Sequence, residues 1–248
     1  MTLQAFFKDN PKVAIAFSGG VDSAYLLYAA RQYGADIRAY YAKSPFQPQF
    51  EYEDAVALAK QLQVPMDTLI LDVLDDPQIA ANPENRCYFC KRRIFTAICR
   101  QAQQDGYPLI LDGTNASDDL SDRPGMQALT ELGVLSPLRI CGLTKEEIRK
   151  LSKQAGLFTH DKPAYACLAT RIPTGIAITQ ERLAKTERSE AFLRELGFTD
   201  FRIRLLDDCA KIQIKEQQLP LLLQHRQEIA DKLKTDYTSV LLDLEVRL

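Results

Sequence analysis

Val13-Ala-Ile-Ala-Phe-Ser-Gly-Gly-Val-Asp-Ser23 is the stretch that decides how the chain folds. Its apolar run, residues 13–17, predicts a buried strand, and the periodic apolar residues of 24–33 predict a helix. Between them, Gly19 and Gly20 allow the backbone to approach a ligand closely, while the helix start presents unpaired N–H groups and a partial positive charge. A phosphate group suits this turn. The alternative is an ordinary tight turn whose Asp or Ser only caps the helix.

The side chains of this turn suit a phosphate group and a magnesium ion. Ser18 and Ser23 add hydroxyl donors, and Asp22 can hold Mg²⁺ through a carboxylate oxygen. A Walker A loop would carry a lysine, and this turn has none. The predicted nucleotide-binding residues of the turn are Ser18, Gly19, Gly20, Val21, Asp22 and Ser23.

Strand and helix patterns alternate through the first two thirds of the chain, which predicts an α/β fold with a parallel sheet covered on both faces. The further predicted strands are 37–42, 67–71 and 108–112, and the further predicted helices are 51–62, 91–104 and 144–156. Ligands bind such sheets beyond the carboxyl ends of the strands. Ser18, Ser44 and Gly113 all lie just past predicted strand ends, so we expect them to share one crevice.

The segment Asp112-Gly-Thr-Asn-Ala-Ser-Asp-Asp119 follows the fourth predicted strand. Gly113 permits a close backbone approach, and Thr114 and Asn115 can donate hydrogen bonds to a phosphate or a ribose. Alone, this segment is an ordinary strand-to-loop turn. Beside the predicted phosphate site it becomes a second wall of the nucleotide crevice.

The order of elements changes in the last third of the chain. A helix over 179–196, strands over 201–205 and 210–214, a helix over 219–232 and a strand over 239–246 predict a small α+β module. The sequence therefore predicts two domains, an α/β domain of residues 1–178 and a smaller α+β domain of residues 179–248.

Composition narrows the class of protein. Apolar residues make up 46% of the 248 and charged residues 26%, as in a globular protein, and no apolar run approaches a membrane span. The polar N-terminus does not resemble a signal peptide, so we expect a cytoplasmic protein. The net charge of −2 argues against nucleic acid as a partner. In the cytoplasm, six cysteines favour catalytic, metal-binding or core roles over disulfides.

Asn85-Arg-Cys-Tyr-Phe-Cys-Lys91 contains a Cys-x-x-Cys pair. Cys87 and Cys90 can ligate one metal ion or one edge of a cluster. His160 and His225, the two histidines of the chain, lack zinc-finger spacing. A redox pair is the second interpretation, although the motif does not follow a thioredoxin-type pattern. Two small core residues at the head of a helix are the third.

A long loop, predicted over 158–178, contains Cys167 between Lys162 and Arg171. These cations favour the thiolate, and the prolines of the loop give it a defined path. We therefore predict that Cys167 is a nucleophile, the alternative being a buried apolar residue.

Charged residues of the C-terminal module form a candidate binding surface. Arg202 and Arg204 are two apart on a strand and share one face, while Glu187 and Glu190 are three apart on the preceding helix. With Arg171 they are predicted to bind a phosphorylated substrate, and a solvated charged strand is the alternative.

Four motifs together resemble the LarE family, the ATP-dependent sulfur transferases of nickel-pincer nucleotide synthesis, which belong to the PP-loop ATP pyrophosphatase superfamily. These motifs are Ser18-Gly-Gly-Val-Asp-Ser23, Asn85-Arg-Cys-Tyr-Phe-Cys-Lys91, Asp112-Gly-Thr-Asn115 and Cys167-Leu-Ala-Thr-Arg-Ile-Pro173. The resemblance implies a PP-loop domain joined to a smaller α+β domain, often in a homo-hexamer. It also implies that ATP is cleaved between its α- and β-phosphates and that carboxylates of pyridinium-3,5-biscarboxylic acid mononucleotide are adenylated and become thiocarboxylates.

The resemblance implies two sulfur sources. In one, the cysteine at the position of Cys167 gives up its own sulfur and becomes dehydroalanine. In the other, Cys87, Cys90 and Cys167 bind a [4Fe-4S] cluster that carries an exchangeable sulfide. The three cysteines favour the cluster, and both sources stay open. Two other functions stay open as well, a PP-loop tRNA thiolase and a non-catalytic protein that senses AMP or ATP.

Overall fold

A computed structural model describes residues 1–119 and 124–245 of the chain. The chain packs as two compact units, the first formed by Met1–Val73 and Asn85–Lys162 and the second by Leu74–Glu84 and Pro163–Leu248. The loop that carries Cys167 thus packs with the C-terminal elements, whereas the sequence placed the domain boundary after residue 178. Asn82 shows why, because its buried side-chain amide donates to the carbonyls of Pro173 at 2.8 Å and Ile176 at 3.0 Å.

The first unit contains the parallel sheet that the sequence predicted, and its four strands lie in the order β3-β2-β1-β4. The strands are β1 (Lys12–Ala16), β2 (Asp36–Lys43), β3 (Met66–Ile70) and β4 (Ile110–Leu111). The side chains of β1 alternate between two apolar cores: Val13 and Ile15 belong to one, and Ala14 belongs to the other. Burial on both faces is the physical reason that residues 13–16 of β1 are all apolar.

Helices cover this sheet. Those of the first unit are α1 (Leu3–Asp9), α2 (Val21–Gln32), α3 (Gln49–Gln61), α5 (Arg86–Gln104), α6 (Pro124–Glu131), α7 (Pro137–Ile140) and α8 (Lys145–Gln154), while α4 (Pro77–Ala80) belongs to the second unit. The longer helices were predicted. The sequence did not predict α1, α4, α6 or α7, which are too short for a clear helical period.

The second unit has a three-stranded sheet in the order β5-β6-β7, in which β5 and β6 are antiparallel and β6 and β7 are parallel. Its further elements are α9 (Gln180–Glu195), β5 (Arg202–Leu206), β6 (Cys209–Gln213), α10 (Leu219–Gln224), α11 (Arg226–Leu233) and β7 (Ser239–Leu242). The helix predicted over 219–232 is divided at His225. None of the helices in the described residues combines the length and the apolar composition that a membrane span requires.

Candidate functional site

The turn between β1 and α2 has the conformation that its glycines predict. Gly19 has a φ of +74°, and a Cβ built there would lie 3.1 Å from the Cβ of Ala55 and 3.2 Å from the carbonyl oxygen of Glu51. A side chain at this position would therefore be strained by the backbone conformation and crowded by α3. Gly19 lets the turn pack directly on that helix.

The two serines of the motif close the turn. The Ser18 N–H donates to Ser23 Oγ at 3.3 Å, the two hydroxyl oxygens lie 3.1 Å apart, and Ser23 Oγ donates to the Gly20 carbonyl at 3.2 Å. Gly20 is the N-cap of α2 and has no side chain with which to cap it. The N-cap residue therefore accepts no side-chain hydrogen bond from the first-turn N–H groups of α2. These N–H groups can bind an anion, as at other helix N-termini.

Gly113 brings the second predicted wall against this turn. A Cβ at Gly113 would lie 2.8 Å from the backbone nitrogen of Ser23 and 3.1 Å from its Cα. Thr114, next in the chain, is buried and donates its hydroxyl to Asp112, which also accepts from Ser136 Oγ at 2.5 Å. The structure therefore brings Gly113 and the first turn of α2 together.

Ser44 follows β2 and is buried. Its hydroxyl donates to Gln47 Oε1 at 2.7 Å and accepts from the Phe46 N–H at 3.2 Å. These bonds close a local turn. Direct contact of Ser44 with a nucleotide, like the nucleotide contacts predicted for Val21 and Thr114, stays a prediction.

The two carboxylate oxygens of Asp22 have different surroundings. Its Oδ2 lies 2.5 Å from the ammonium of Lys145, whereas Oδ1 is buried and has no hydrogen-bond partner within the part of the chain that the structure describes. Burial raises the pKa of Asp22, and the hydrogen bond from Lys145 opposes that rise. A buried carboxylate oxygen that lacks a partner fits a magnesium ligand.

Lys145 is the residue of this site that sequence reasoning missed. It is the first residue of α8, whose N-cap Thr144 forms a capping box with Glu147. The capping pattern is visible in the sequence and predicts where α8 begins. It carries no sign that this helix start would lie beside Asp22.

The Cys-x-x-Cys pair lies in the first turns of α5. Cys87 is exposed and Cys90 half-buried, and Arg86 Nη2 lies 3.9 Å from Cys87 Sγ. Over residues 1–119 and 124–245, no group of three or more His, Cys, Asp or Glu side chains is arranged to hold a metal ion. Cys87 and Cys90 belong to the first unit and Cys167 to the second. The [4Fe-4S] ligand set of these three cysteines therefore has no support from the described side chains and stays a prediction.

In the second unit, arginines hold the loop that carries the half-buried Cys167. Arg171 Nη1 donates to the carbonyl of Ala166 at 3.0 Å, and Arg204 Nη1 donates to that of Thr170 at 2.7 Å. Arg202 Nη2 donates to the carbonyl of Ala164. The path of the loop is therefore set by guanidinium groups as well as by its prolines.

Lys162, the other cation predicted to favour the Cys167 thiolate, is engaged within the first unit. Its ammonium lies 3.0 Å from Glu51 Oε1 and 2.7 Å from Asp54 Oδ2, both on α3. Two carboxylates compensate its charge. That Lys162 favours the Cys167 thiolate stays a prediction.

Arg171 and Glu190 form a buried ion pair, each residue being 1% exposed. Arg171 Nε donates to Glu190 Oε1 at 2.7 Å and Nη2 donates to Oε2 at 3.2 Å, while the Ile203 N–H also donates to Oε1 at 3.0 Å. Burial lowers the pKa of Arg171, but the hydrogen bonds and charge of Glu190 outweigh burial, so that pKa is raised overall.

Tyr165 joins this pair to Arg202. Its hydroxyl donates to Glu190 Oε2, and its ring centroid lies 4.6 Å from the Arg171 guanidinium and 5.0 Å from that of Arg202. Burial, followed by the charge of Glu190, raises the pKa of Tyr165. One network thus contains Tyr165, two arginines and Glu190, and Tyr165 lies two residues before Cys167 in the chain.

The residues predicted to bind a phosphorylated substrate differ in burial. Arg202 is 3% exposed, so the alternative of a solvated charged strand is wrong for this residue. Glu187 and Arg204 are half-buried, and Arg204 Nε donates to Gln213 Oε1 at 2.6 Å. The contacts assign Arg171 and Glu190 to holding the loop, and binding of a substrate by any of the five residues stays a prediction.

Comparisons with known proteins identify the relatives of this chain. It is 31% identical over 246 residues to pyridinium-3,5-bisthiocarboxylic acid mononucleotide synthase of Lactiplantibacillus plantarum, with 98% of this chain and 89% of that protein covered. An uncharacterized protein of Synechocystis sp. is 38% identical over 224 residues, covering 90% of this chain and 83% of the relative. The tRNA-specific 2-thiouridylase MnmA of Pseudothermotoga lettingae is 29% identical over 187 residues, which are 61% of this chain and 54% of that protein.

No protein-family model matches the chain. The similarity to the Lactiplantibacillus synthase spans nearly the whole of both proteins, and the PP-loop turn lies in a parallel α/β sheet as the sequence predicted. The chain therefore belongs to the LarE family, that of the pyridinium-3,5-bisthiocarboxylic acid mononucleotide synthases.

Proposed function

We propose that the protein is an ATP-dependent, AMP-forming sulfur transferase. Its acceptor would be pyridinium-3,5-biscarboxylic acid mononucleotide, whose carboxylates it would adenylate and convert to thiocarboxylates. The observation that carries this proposal is the PP-loop turn, closed by Ser18 and Ser23 and packed against Gly113. The name of the Lactiplantibacillus relative, a bisthiocarboxylic acid mononucleotide synthase, supports the choice of acceptor.

The first step belongs to the first unit. The phosphates of ATP would bind the N-terminus of α2, and Asp22 would hold Mg²⁺ through Oδ1, the buried oxygen without a partner in the described chain. An acceptor carboxylate oxygen attacks the α-phosphorus, the bond between this phosphorus and the bridging oxygen breaks, and pyrophosphate leaves. The product is an acyl-adenylate, whose carbonyl carbon is open to a nucleophile.

The second step uses Cys167. Its thiolate attacks the acyl carbon, AMP leaves, and a thioester joins the acceptor to the protein. Loss of the Cys167 Cα proton to a base then breaks the Cβ–S bond, which releases the thiocarboxylate and leaves dehydroalanine. Arg171 Nη1 donates to the Cys167 carbonyl oxygen at 3.5 Å, which helps to hold the backbone of this residue.

Product analysis tests the first step. We expect AMP and pyrophosphate from ATP and acceptor, and Asp22→Ala should abolish their formation because the magnesium ligand is lost. ADP and phosphate as the main products would refute the adenylation step. Purified tRNA is offered as an alternative acceptor. Sulfur transfer to tRNA would indicate the thiolase function instead of the proposed reaction. A protein that binds ATP without forming pyrophosphate under any of these conditions would instead be a nucleotide sensor.

Cysteine variants test the sulfur source. Cys167→Ala should abolish thiocarboxylate formation while ATP binding survives, and a variant that still forms the product would refute the role of this loop. After turnover, the intact protein should lose about 34 Da, one hydrogen sulfide, at a spent thiol. Cys87→Ala and Cys90→Ala should be nearly silent. Loss of transfer in these variants, without a mass change in the wild type, would identify the cluster as the sulfur source.

Acceptor binding by the arginines of the second unit is also a proposal. Charge-assisted, bidentate contacts suit arginine as a phosphate ligand. Arg202→Ala should therefore weaken acceptor binding and leave ATP affinity nearly unchanged, as measured by isothermal titration calorimetry. Equal loss of both affinities would show that Arg202 only stabilises the fold, through its contact with the Ala164 carbonyl.

A further inference from the structure

The nucleotide site contains a cation that the PP-loop motif does not specify. Lys145 lies 2.5 Å from Asp22 through its ammonium, although the two residues are 123 positions apart in the sequence. Both side chains are partly exposed, at 34% for Lys145 and 22% for Asp22. A partly exposed ammonium on a four-carbon stem can exchange one anionic partner for another.

The backbone of Lys145 is held by the loop that follows Gly113, which is the second predicted wall of the nucleotide crevice. Its N–H donates to Ser117 Oγ at 3.0 Å, and the Ala116 N–H donates to the Leu143 carbonyl at 2.8 Å. The segment after Gly113 is therefore tied to the start of α8. This tether keeps the Lys145 backbone in place while its side chain remains free to change partners.

We propose that Lys145 is a phosphate-binding residue, held on Asp22 in the absence of nucleotide and transferred to the phosphate oxygens when Mg²⁺ occupies Asp22. The inference rests on the proposed function only in taking Mg²⁺–ATP as the ligand of this site. Lys145 would then supply the positive charge that a lysine inside the loop supplies in a Walker A site.

Charge explains why the exchange is required. Mg²⁺ at Asp22 would repel an ammonium on the same carboxylate, because like charges in a partly desolvated site interact strongly. ATP brings several anionic oxygens to the adjacent helix N-terminus. When Mg²⁺–ATP binds, the Lys145 ammonium therefore leaves Asp22 for the phosphate oxygens, and Asp22 binds the metal ion.

The substitution Lys145→Met tests this exchange, because methionine keeps an unbranched stem and removes the charge. Mn²⁺ binding without nucleotide, measured by electron paramagnetic resonance, should become about 2- to 5-fold tighter, since a competing and partly exposed ion pair is gone. ATP binding in excess Mg²⁺, measured by calorimetry, should become about 10- to 100-fold weaker, since the hydrogen bonds from the charged Lys145 ammonium to the phosphates are lost. Lys145→Arg should restore ATP binding.

The matched control is Lys150→Met, on the exposed face of the same helix, which should change neither affinity. Weaker binding of both Mn²⁺ and ATP in Lys145→Met would show a purely structural role and overturn the inference. Unchanged ATP binding would overturn it as well. Wild-type protein that binds ATP but forms no pyrophosphate would refute the proposed reaction and leave the test of Lys145 intact, whereas wild-type protein that does not bind ATP would overturn both.

Discussion

Removing Glu190 should destabilise the second unit more than any surface substitution on the same helix. The Glu190 carboxylate is buried and accepts from Arg171, Tyr165 and the backbone N–H of Ile203. Glu190→Ala would leave the Arg171 guanidinium buried without its counter-charge. Such a loss costs about 3–5 kcal/mol of unfolding free energy, which is at the low end of the sum for the abandoned donors at roughly 1–3 kcal/mol each.

Urea denaturation measures this cost. With an m-value of about 2 kcal/mol/M, the expected loss corresponds to a midpoint lowered by about 1.5–2.5 M. Circular dichroism is the suitable probe, because the chain contains no tryptophan. The matched control is Glu195→Ala, an exposed carboxylate on α9, which should change the unfolding free energy by no more than about 0.5 kcal/mol.

A second variant separates charge from packing. In Glu190→Ala combined with Arg171→Met, no unpaired buried charge remains, so most of the lost stability should return. A Glu190→Ala protein within about 1 kcal/mol of the wild type would refute the reasoning. So would a double variant no more stable than Glu190→Ala, because the cost would then come from lost volume and not from an uncompensated charge.

Three further predictions follow from contacts elsewhere. Gly113→Ala would place a Cβ 2.8 Å from the Ser23 nitrogen, so we expect a loss of about 1–3 kcal/mol in thermal denaturation together with weaker ATP binding. Lys211 holds the pKa of Asp243 at about 2, so the stabilisation that Asp243→Asn removes should be present above about pH 4 and disappear as pH falls through about 2, in urea titrations at graded pH. Asn82→Ala removes the amide that holds the loop after Cys167 and should accelerate proteolysis of that loop.

Each of these predictions has an outcome that contradicts it. Unaltered ATP affinity in Gly113→Ala would mean that the turn tolerates displacement. A stability difference for Asp243→Asn that persists at pH 2 would show that its charge is not the cause. Proteolysis of Asn82→Ala at the wild-type rate would show that prolines and arginines alone define the loop.

The sequence alone determined the parts of the fold that depend on local physics. A short apolar run followed by Ser18-Gly-Gly predicted β1, the turn and α2, because strand burial and a positive φ are encoded by the residues themselves. The alternation of strands and helices predicted the parallel sheet. Even the start of α8 was visible, because its capping box is a local pattern.

Tertiary structure alone decided which distant side chains meet and which charges are buried. Residue spacing predicted that Arg202 and Arg204 share one face, but the burial of Arg202 depends on what packs over that face. Likewise, the contact between Asp22 and Lys145 spans 123 positions, and the packing of residues 74–84 with the loop after Lys162 joins segments that are far apart in the chain. Periodicity describes the environment of a residue along its own helix or strand, whereas these contacts depend on how whole elements pack against one another.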